Sequence, residues 1–381
     1  MLWSGTMNST ITTCRLIKSV ITLFSALVAC GPVFSQNSGE SPYDELWNRI
    51  VIYENDDDGI LNKFSLTGRL QGDYHSFDED SAGSKSDFDW RRFRVGFKAI
   101  VFGRFMVHSE ADMNLNQPEP LYQKLTDTYV SWSAENGMKF KVGRQSAPFT
   151  LDGSTSSKKL HTLERGKIAD NIWFGQEYFP GVTVGGAQGE WNYFAGIYSS
   201  DNAPEFADAF DYGKFGIVSL GRDWADSLGY DQAMIRFDLM VQDEDQMKYK
   251  DWKSAYAIVT KWKKEKFHFW SDLNFANREN GDAFGLQLMP FYDLTDKTQA
   301  IFCYTFLDSS NSDQLKPSKW ERSLANRKGN ELSEYFFGLN HFFYGHKLKW
   351  QSGLQYTDMK SVAANNQYDG WGFTTALRIS W

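Results

Sequence analysis

The chain is poor in cysteine, in long apolar runs and in basic excess, and each shortage removes a class of protein. Three cysteines occur in 381 residues: Cys14 and Cys30 near the start, and Cys303 far from both. One thiol in the body of the chain allows no disulfide framework, so stability has to come from noncovalent pairing. The single uninterrupted apolar run, Val20 to Val33, is too short to span a membrane comfortably. A mean hydropathy of −0.49 likewise argues against a bundle of membrane helices. The formal net charge of −8 argues against a nucleic-acid binder, which is usually basic. His75, His108, His161, His268, His341 and His346 are tied to no nucleophile by a recognisable motif, and no metal-ligand cluster occurs. Nothing in the chain calls for a catalytic residue, a metal or a cofactor.

The start reads as an export signal. Arg15 and Lys18 form a basic region, Val20 to Val33 an apolar one, and Val33-Phe34-Ser35 precedes Gln36 as a small-residue cleavage site. Leu27-Val28-Ala29-Cys30 also fits a lipoprotein cleavage box, so cleavage at Gln36 and lipidation at Cys30 both stand as readings. The expected organisation is a signal peptide over 1–35, a short periplasmic segment over 36–62 and a barrel domain over 63–381. The acidic stretch Glu54 to Gly59 has Ser65 where a calcium loop needs its closing Glu, and reads as a turn.

From Lys63 onward the dominant period is two. Phe93, Val95, Phe97, Ala99 and Val101 alternate with Arg92, Arg94 and Lys98; Ile235, Phe237, Leu239 and Val241 alternate with Arg236, Asp238 and Gln242. One face is greasy and the other polar, as in a soluble β-sandwich or a membrane barrel. Connection lengths separate the two. Sixteen strands are expected, centred near Leu70, Val95, Val107, Val130, Phe140, Val184, Ala195, Ile217, Phe237, Ile258, Leu273, Leu286, Phe302, Leu339, Trp350 and Leu377. Long connections at Asp78–Ser86, Leu115–Gln123, Ser146–Pro180, Asp201–Tyr212, Ser309–Asn330 and Met359–Asp369 alternate with tight turns such as Ala134-Glu135-Asn136-Gly137 and Gly345-His346, with Asp223–Asp231 a longer turn on the tight side. Short turns at one end and long loops at the other mark an outer-membrane barrel. Trp371, Phe373, Leu377, Ile379 and Trp381 alternate to the last residue, resembling the terminal strand read by the outer-membrane assembly machinery. In lipid every backbone polar group must be paired, so a spanning sheet has to close. The expected fold is therefore an all-β transmembrane antiparallel barrel of 16 strands, wide enough for an aqueous channel.

Several segments resemble the phosphate-selective porin O/P family. They are Leu66-Thr67-Gly68-Arg69, Trp90 to Phe97, Val142 to Phe149, Ser154 to Ser157, Leu163-Glu164-Arg165, Pro180-Gly181-Val182, Tyr292 to Lys297 and Tyr335 to Asn340, in family order. The resemblance implies a bacterial outer-membrane porin, often homotrimeric, whose long third loop, Ser146–Pro180, folds into the lumen. The partners it implies are small hydrophilic or anionic solutes such as phosphate or polyphosphate, and outer-membrane lipid.

Candidate anion contacts are Arg69, Arg92, Arg94 and Lys98 on the polar sides of the first two strands, and Ser156, Ser157, Lys158, Lys159 and Arg165 in the loop. Arg91 breaks the phase and belongs at a bulge or at the rim. A basic wall facing a basic loop concentrates anions, and Arg forks match oxyanions. Asp73, Glu110, Asp112, Asp127, Asp238 and Asp272 share the polar side, so arginine–carboxylate pairs that only stiffen the wall are the competing reading. Cys303 stands at lumen parity where the family often has Arg-Tyr, which weakens strict phosphate selectivity. The rival functions are a non-selective general porin, a barrel enzyme and a soluble exported binding protein.

Overall fold

Alternating residues with paired backbones produce one closed sheet. The computed structural model describes residues 42–55, 59–117, 119–173, 177–199, 205–206, 210–211, 213–242, 252–279, 281–311, 314–362 and 366–381. The export signal over 1–35, with its alternatives at Cys30 and Gln36, lies outside the described residues, as do Asp56 to Asp58 of the acidic turn. Helix α1 (Pro42–Asn48) and strand β1 (Val51–Glu54) come first. Sixteen longer strands follow. They are β2 (Leu61–Glu79), β3 (Gly83–Val101), β4 (Phe105–Met113), β5 (Tyr122–Ser133), β6 (Lys139–Ser146), β7 (Tyr178–Gln188), β8 (Trp191–Ser199), β9 (Lys214–Asp223) and β10 (Gln232–Gln242). The ring continues through β11 (Ser254–Lys264), β12 (Phe267–Arg278), β13 (Gly281–Thr295), β14 (Thr298–Ser309), β15 (Glu331–Tyr344), β16 (Leu348–Lys360) and β17 (Tyr368–Ser380). Short helices α2 (Ala225–Leu228) and α3 (Lys319–Leu324) sit between strands.

Each of β2 to β17 pairs antiparallel with its neighbours in sequence, and β17 pairs with β2 in the register Thr375↔Tyr74 and Leu377↔Gly72. The sheet is thus a closed 16-strand barrel, and each expected strand centre falls within a strand. Past the end of β17, the short β1 takes up the ladder on β2, with Tyr53 opposite Phe64. Buried Trp47 donates its indole N–H to the Ser380 carbonyl at 2.7 Å, tying α1 to the same seam. Inside the barrel Arg378 of β17 forms an ion pair with Asp73 of β2 across that seam.

The burial is inverted relative to a soluble protein. Val142, Ile197, Val218, Phe337 and Trp371 are exposed on the outside, whereas Arg94, Glu110, Asp238, Asp272 and Lys349 are buried on the inside. Only a sheet bathed in lipid outside and polar groups inside puts both sets where they are stable. Tight turns fill one end; Gly103 and Gly137 adopt φ of 69° and 83° there, a conformation that favours glycine.

The expected long connection Asp78–Ser86 is a correction. β2 and β3 run on to Glu79 and from Gly83, leaving a three-residue hairpin of Asp80, Ser81 and Ala82. The polar alternation that resembled a loop is a strand pair in which His75, Phe77 and Glu79 of β2 are buried while the facing end of β3 is exposed. A bulge opposite Gln71 and Gly72 absorbs Arg91 and keeps Arg92 in phase.

A charge on the outer face must break this inversion. Phe337→Arg is expected to destabilise the barrel by about 2–4 kcal/mol in urea unfolding from lipid bilayers, the midplane cost of an arginine facing lipid. An unchanged unfolding midpoint would place Phe337 away from lipid.

Candidate functional site

The loop from Ala147 to Glu177 is held by inward-facing groups on strands all around the ring. On one side its apolar residues Phe149, Leu151, Leu163, Ile168, Ile172 and Trp173 are buried in one cluster with Ile217, Met240, Val259, Met289, Ile301 and Leu307 of β9 to β14. The inner faces of those strands set these apolar residues beside buried polar ones such as Asp238, Asp272 and Gln287. Cys303 lies in this cluster, buried beneath the loop, so it replaces no charge in an open lumen. Buried carboxylates receive loop amides: Thr150 N–H donates to Asp238 at 3.2 Å and Leu151 N–H to Asp272 at 2.8 Å. Thr150 holds a φ of 66°, a strained value for a β-branched residue. Asp238 on its N–H and Arg236 on its carbonyl, at 3.0 Å, fix it there.

The opposite side of the loop is polar and meets the basic wall of β2 to β4. Arg69 donates to Ser157 Oγ at 2.5 Å and to Glu110 at 2.7 Å. Arg94 donates to Tyr178 OH at 2.6 Å and lies 3.4 Å from Asp112 and 3.6 Å from Glu177. Arg92 donates to Gln71 at 2.9 Å and stands 3.8 Å from Glu164. Arg91, freed from phase by the bulge, clasps Glu164 with two bonds of 2.5 and 2.9 Å. Within the loop Arg165 bonds Glu177 at 2.7 Å. Burial alone would raise the carboxyls of Glu164 and Glu177. The guanidiniums of Arg91 and Arg92 around the first, and of Arg165 and Arg94 around the second, hold both below the usual carboxylate range.

A second anchor joins this loop to the one between β14 and β15. Lys167 bonds Glu321 of α3 at 3.0 Å and Glu334 of β15 at 2.5 Å. Asn171 bonds the backbone of Lys316 in both directions, at 3.0 and 2.8 Å.

Between the loop and the basic wall lies a cavity of about 290 Å³. Of the nine candidates, Arg69, Lys98, Ser156, Ser157, Lys158 and Arg165 line it. Arg92 and Arg94 do not, and stand beside Glu164, Asp112 and Glu177. Lys159 is exposed and lies outside the cavity lining. The sequence reading missed His108, Tyr129, Lys141, Glu177 and Tyr178, which also line the cavity. Lys141 and Tyr129 were legible by parity on β6 and β5; Glu177 was not, because a loop residue has no parity. Lys98 makes no ion pair or hydrogen bond with the described residues, and Lys141 lies 4.9 Å over the Tyr129 ring. Lys158 donates to the Trp381 carbonyl at 2.8 Å and to Thr67 at 3.3 Å. Burial, reinforced by Arg69, pushes its ammonium down to about 8.

A closed antiparallel barrel, greasy outside and polar within, defines the outer-membrane β-barrel class, and the chain is one of these. Residues 64–213, which include the basic strands and the whole loop, match the family model described as phosphate-selective porin O and P, in agreement with the resemblance read from the sequence. An uncharacterized protein of Aquifex aeolicus (strain VF5) is 23% identical over 354 residues, covering 80% of this chain and 84% of that protein. Among solved structures, an anion-selective porin from Comamonas acidovorans superposes with a TM-score of 0.60 at 13% identity, over 84% of this chain and 99% of its own. The outer membrane channel DcaP of Acinetobacter baumannii superposes with a TM-score of 0.56 at 11% identity, over 86% and 99%. These likenesses establish the fold.

Glu164→Gln removes the charge that binds Arg91 and approaches Arg92. The loop is expected to become sensitive to limited proteolysis in detergent-folded protein, while the heat-stable barrel fragment survives. Resistance equal to wild type would show that the apolar side alone holds the loop.

Proposed function

We propose that the protein is an outer-membrane porin that passes small solutes passively and prefers anions, with the loop Ser146–Pro180 as its constriction. The observation that carries this reading is the cavity between loop and wall, where Lys98 makes no ion pair with a described residue and Lys158 bonds only Thr67 and the Trp381 carbonyl, while Asp127 faces Lys141. Unpaired positive charge in a narrow wet passage raises the local anion concentration and lowers the entry barrier. Binding at such point charges is weak enough to permit exit. The family match and the barrel favour a channel over an enzyme. Homotrimer assembly, and reading of β17 with Trp381 by the assembly machinery, belong to the same proposal.

Non-selective diffusion is the second reading, and a specific observation favours it: Arg69, Arg92, Arg94 and Arg165 all stand beside carboxylates. Reversal potentials in planar bilayers under a KCl gradient separate the two. Anion preference is expected in wild type, with Lys98→Glu and Lys158→Glu moving the potential toward cations and Lys159→Glu moving it less. A zero potential in wild type would leave the non-selective reading standing.

The preference should also depend on pH. Lys158 is charged below its value of about 8 and neutral above it. Anion preference is therefore expected to fall as pH rises from 6.5 to 9.5, and to fall less in Lys158→Ala. A wild-type profile flat through pH 8 would remove Lys158 from the selectivity mechanism.

A further inference from the structure

The same cavity holds buried polar atoms that the protein leaves unpaired. His108, only 6% exposed, has no hydrogen-bond partner among the described residues at either Nδ1 or Nε2. Glu110, 1% exposed, uses one carboxylate oxygen on Arg69 and leaves Oε2 without a partner; Arg69 leaves its Nε without one. All three residues line the cavity. In the ladder His108 stands opposite Lys98 on one side and Tyr129 on the other, so the unpaired imidazole and the Lys98 ammonium share one stretch of wall. Unpaired buried groups are costly, and a site built around them favours a solute that supplies the missing bonds.

The chemistry of the set narrows that solute. A neutral imidazole offers one donor and one acceptor, and an ionised carboxylate oxygen only accepts. Glu110 Oε2 therefore needs a donor and repels a compact oxyanion such as phosphate. The guanidinium forks that would grip phosphate in two-point fashion are already engaged: Arg69 by Ser157 and Glu110, Arg94 by Tyr178 and its carboxylates. What remains for the anionic end is Lys98 with Lys158 and, facing Asp127, Lys141, point charges that hold a carboxylate as readily as a phosphate. A cavity of about 290 Å³ lies at the small end of ligand sites.

We infer that the constriction is a binding subsite for small polyhydroxylated carboxylates, sugar acids in chemical class, whose carboxylate meets Lys98 and Lys141 while hydroxyls bond Glu110 and His108. This rests on the proposed anion-preferring channel and specifies its substrate class. Hydroxyls serve as donor and acceptor at once, which is what this mixed set of orphaned atoms requires. Passage then proceeds by exchange of hydrogen bonds with no covalent step.

The test is block of chloride current through single channels by added gluconate, acetate or inorganic phosphate, with the KCl reversal potential recorded on the same membranes. Gluconate is expected to block with a half-effective concentration at least tenfold below acetate and phosphate. Glu110→Gln and His108→Phe are expected to bring gluconate to the level of acetate, with folding checked by heat-modifiable migration on gels. Phosphate or acetate blocking as well as gluconate in wild type overturns the proposal even where the variants do not fold. A reversal potential without anion preference instead overturns the channel reading beneath it, so the two failures are told apart.

Discussion

A bilayer offers backbone amides nothing to bond, and that constraint organises the molecule. β2 to β17 satisfy one another around a ring because the last strand returns to the first. The seam where they meet has reinforcements of its own. The ion pair between Arg378 and Asp73 lies inside it, and where β17 stops, β1 continues the ladder on β2. Trp47 ties the helix before β1 to the carbonyl of Ser380. Closure also fixes which face is which, and from the two faces follow a greasy exterior and an interior that has to find partners for charges.

The loop between β6 and β7 answers that second need in two ways. Against β9 to β14 it behaves like the core of a soluble protein, with Phe149, Ile168, Ile172 and Trp173 buried among aliphatic wall residues. Against β2 to β4 it behaves like a counter-ion, with Glu164 and Glu177 set among four arginines. Each carboxylate is held ionised by its neighbours, since burial without them would neutralise it. The polar side is therefore rigid for electrostatic reasons and the apolar side for packing reasons.

The strands were legible in the sequence because period two is a one-dimensional signal: residues such as Val95, Phe237 and Leu377 announce their face without help from partners. The β2–β3 hairpin was not, since Ser76 to Ser86 carries few apolar residues where the strands leave the membrane, and the same polarity describes a loop. The inner wall of β11 and β14 was hidden for the opposite reason. Ala255, Ala257, Ile301 and Leu307 point into the barrel, where a porin strand ordinarily places polar groups, and only the loop that covers them explains their chemistry. The candidate site was half legible. Parity correctly turned Arg69, Arg92, Arg94 and Lys98 inward, but which of them stay free depends on Glu164 and Glu177, loop residues whose positions no periodicity encodes.

The split in the loop's attachments has a consequence for how demands fall along the chain. Apolar support comes from β9 to β14 and the wall of the cavity from β2 to β7, so packing and cavity chemistry rest largely on different strands. Under the proposed channel, substitutions at Lys98, His108 or Lys141 would change the cavity's chemistry without touching the apolar cluster beneath the loop. In that reading, a few wall positions set the chemistry a solute meets, while the positions beneath the loop answer to a separate demand for well-packed bulk.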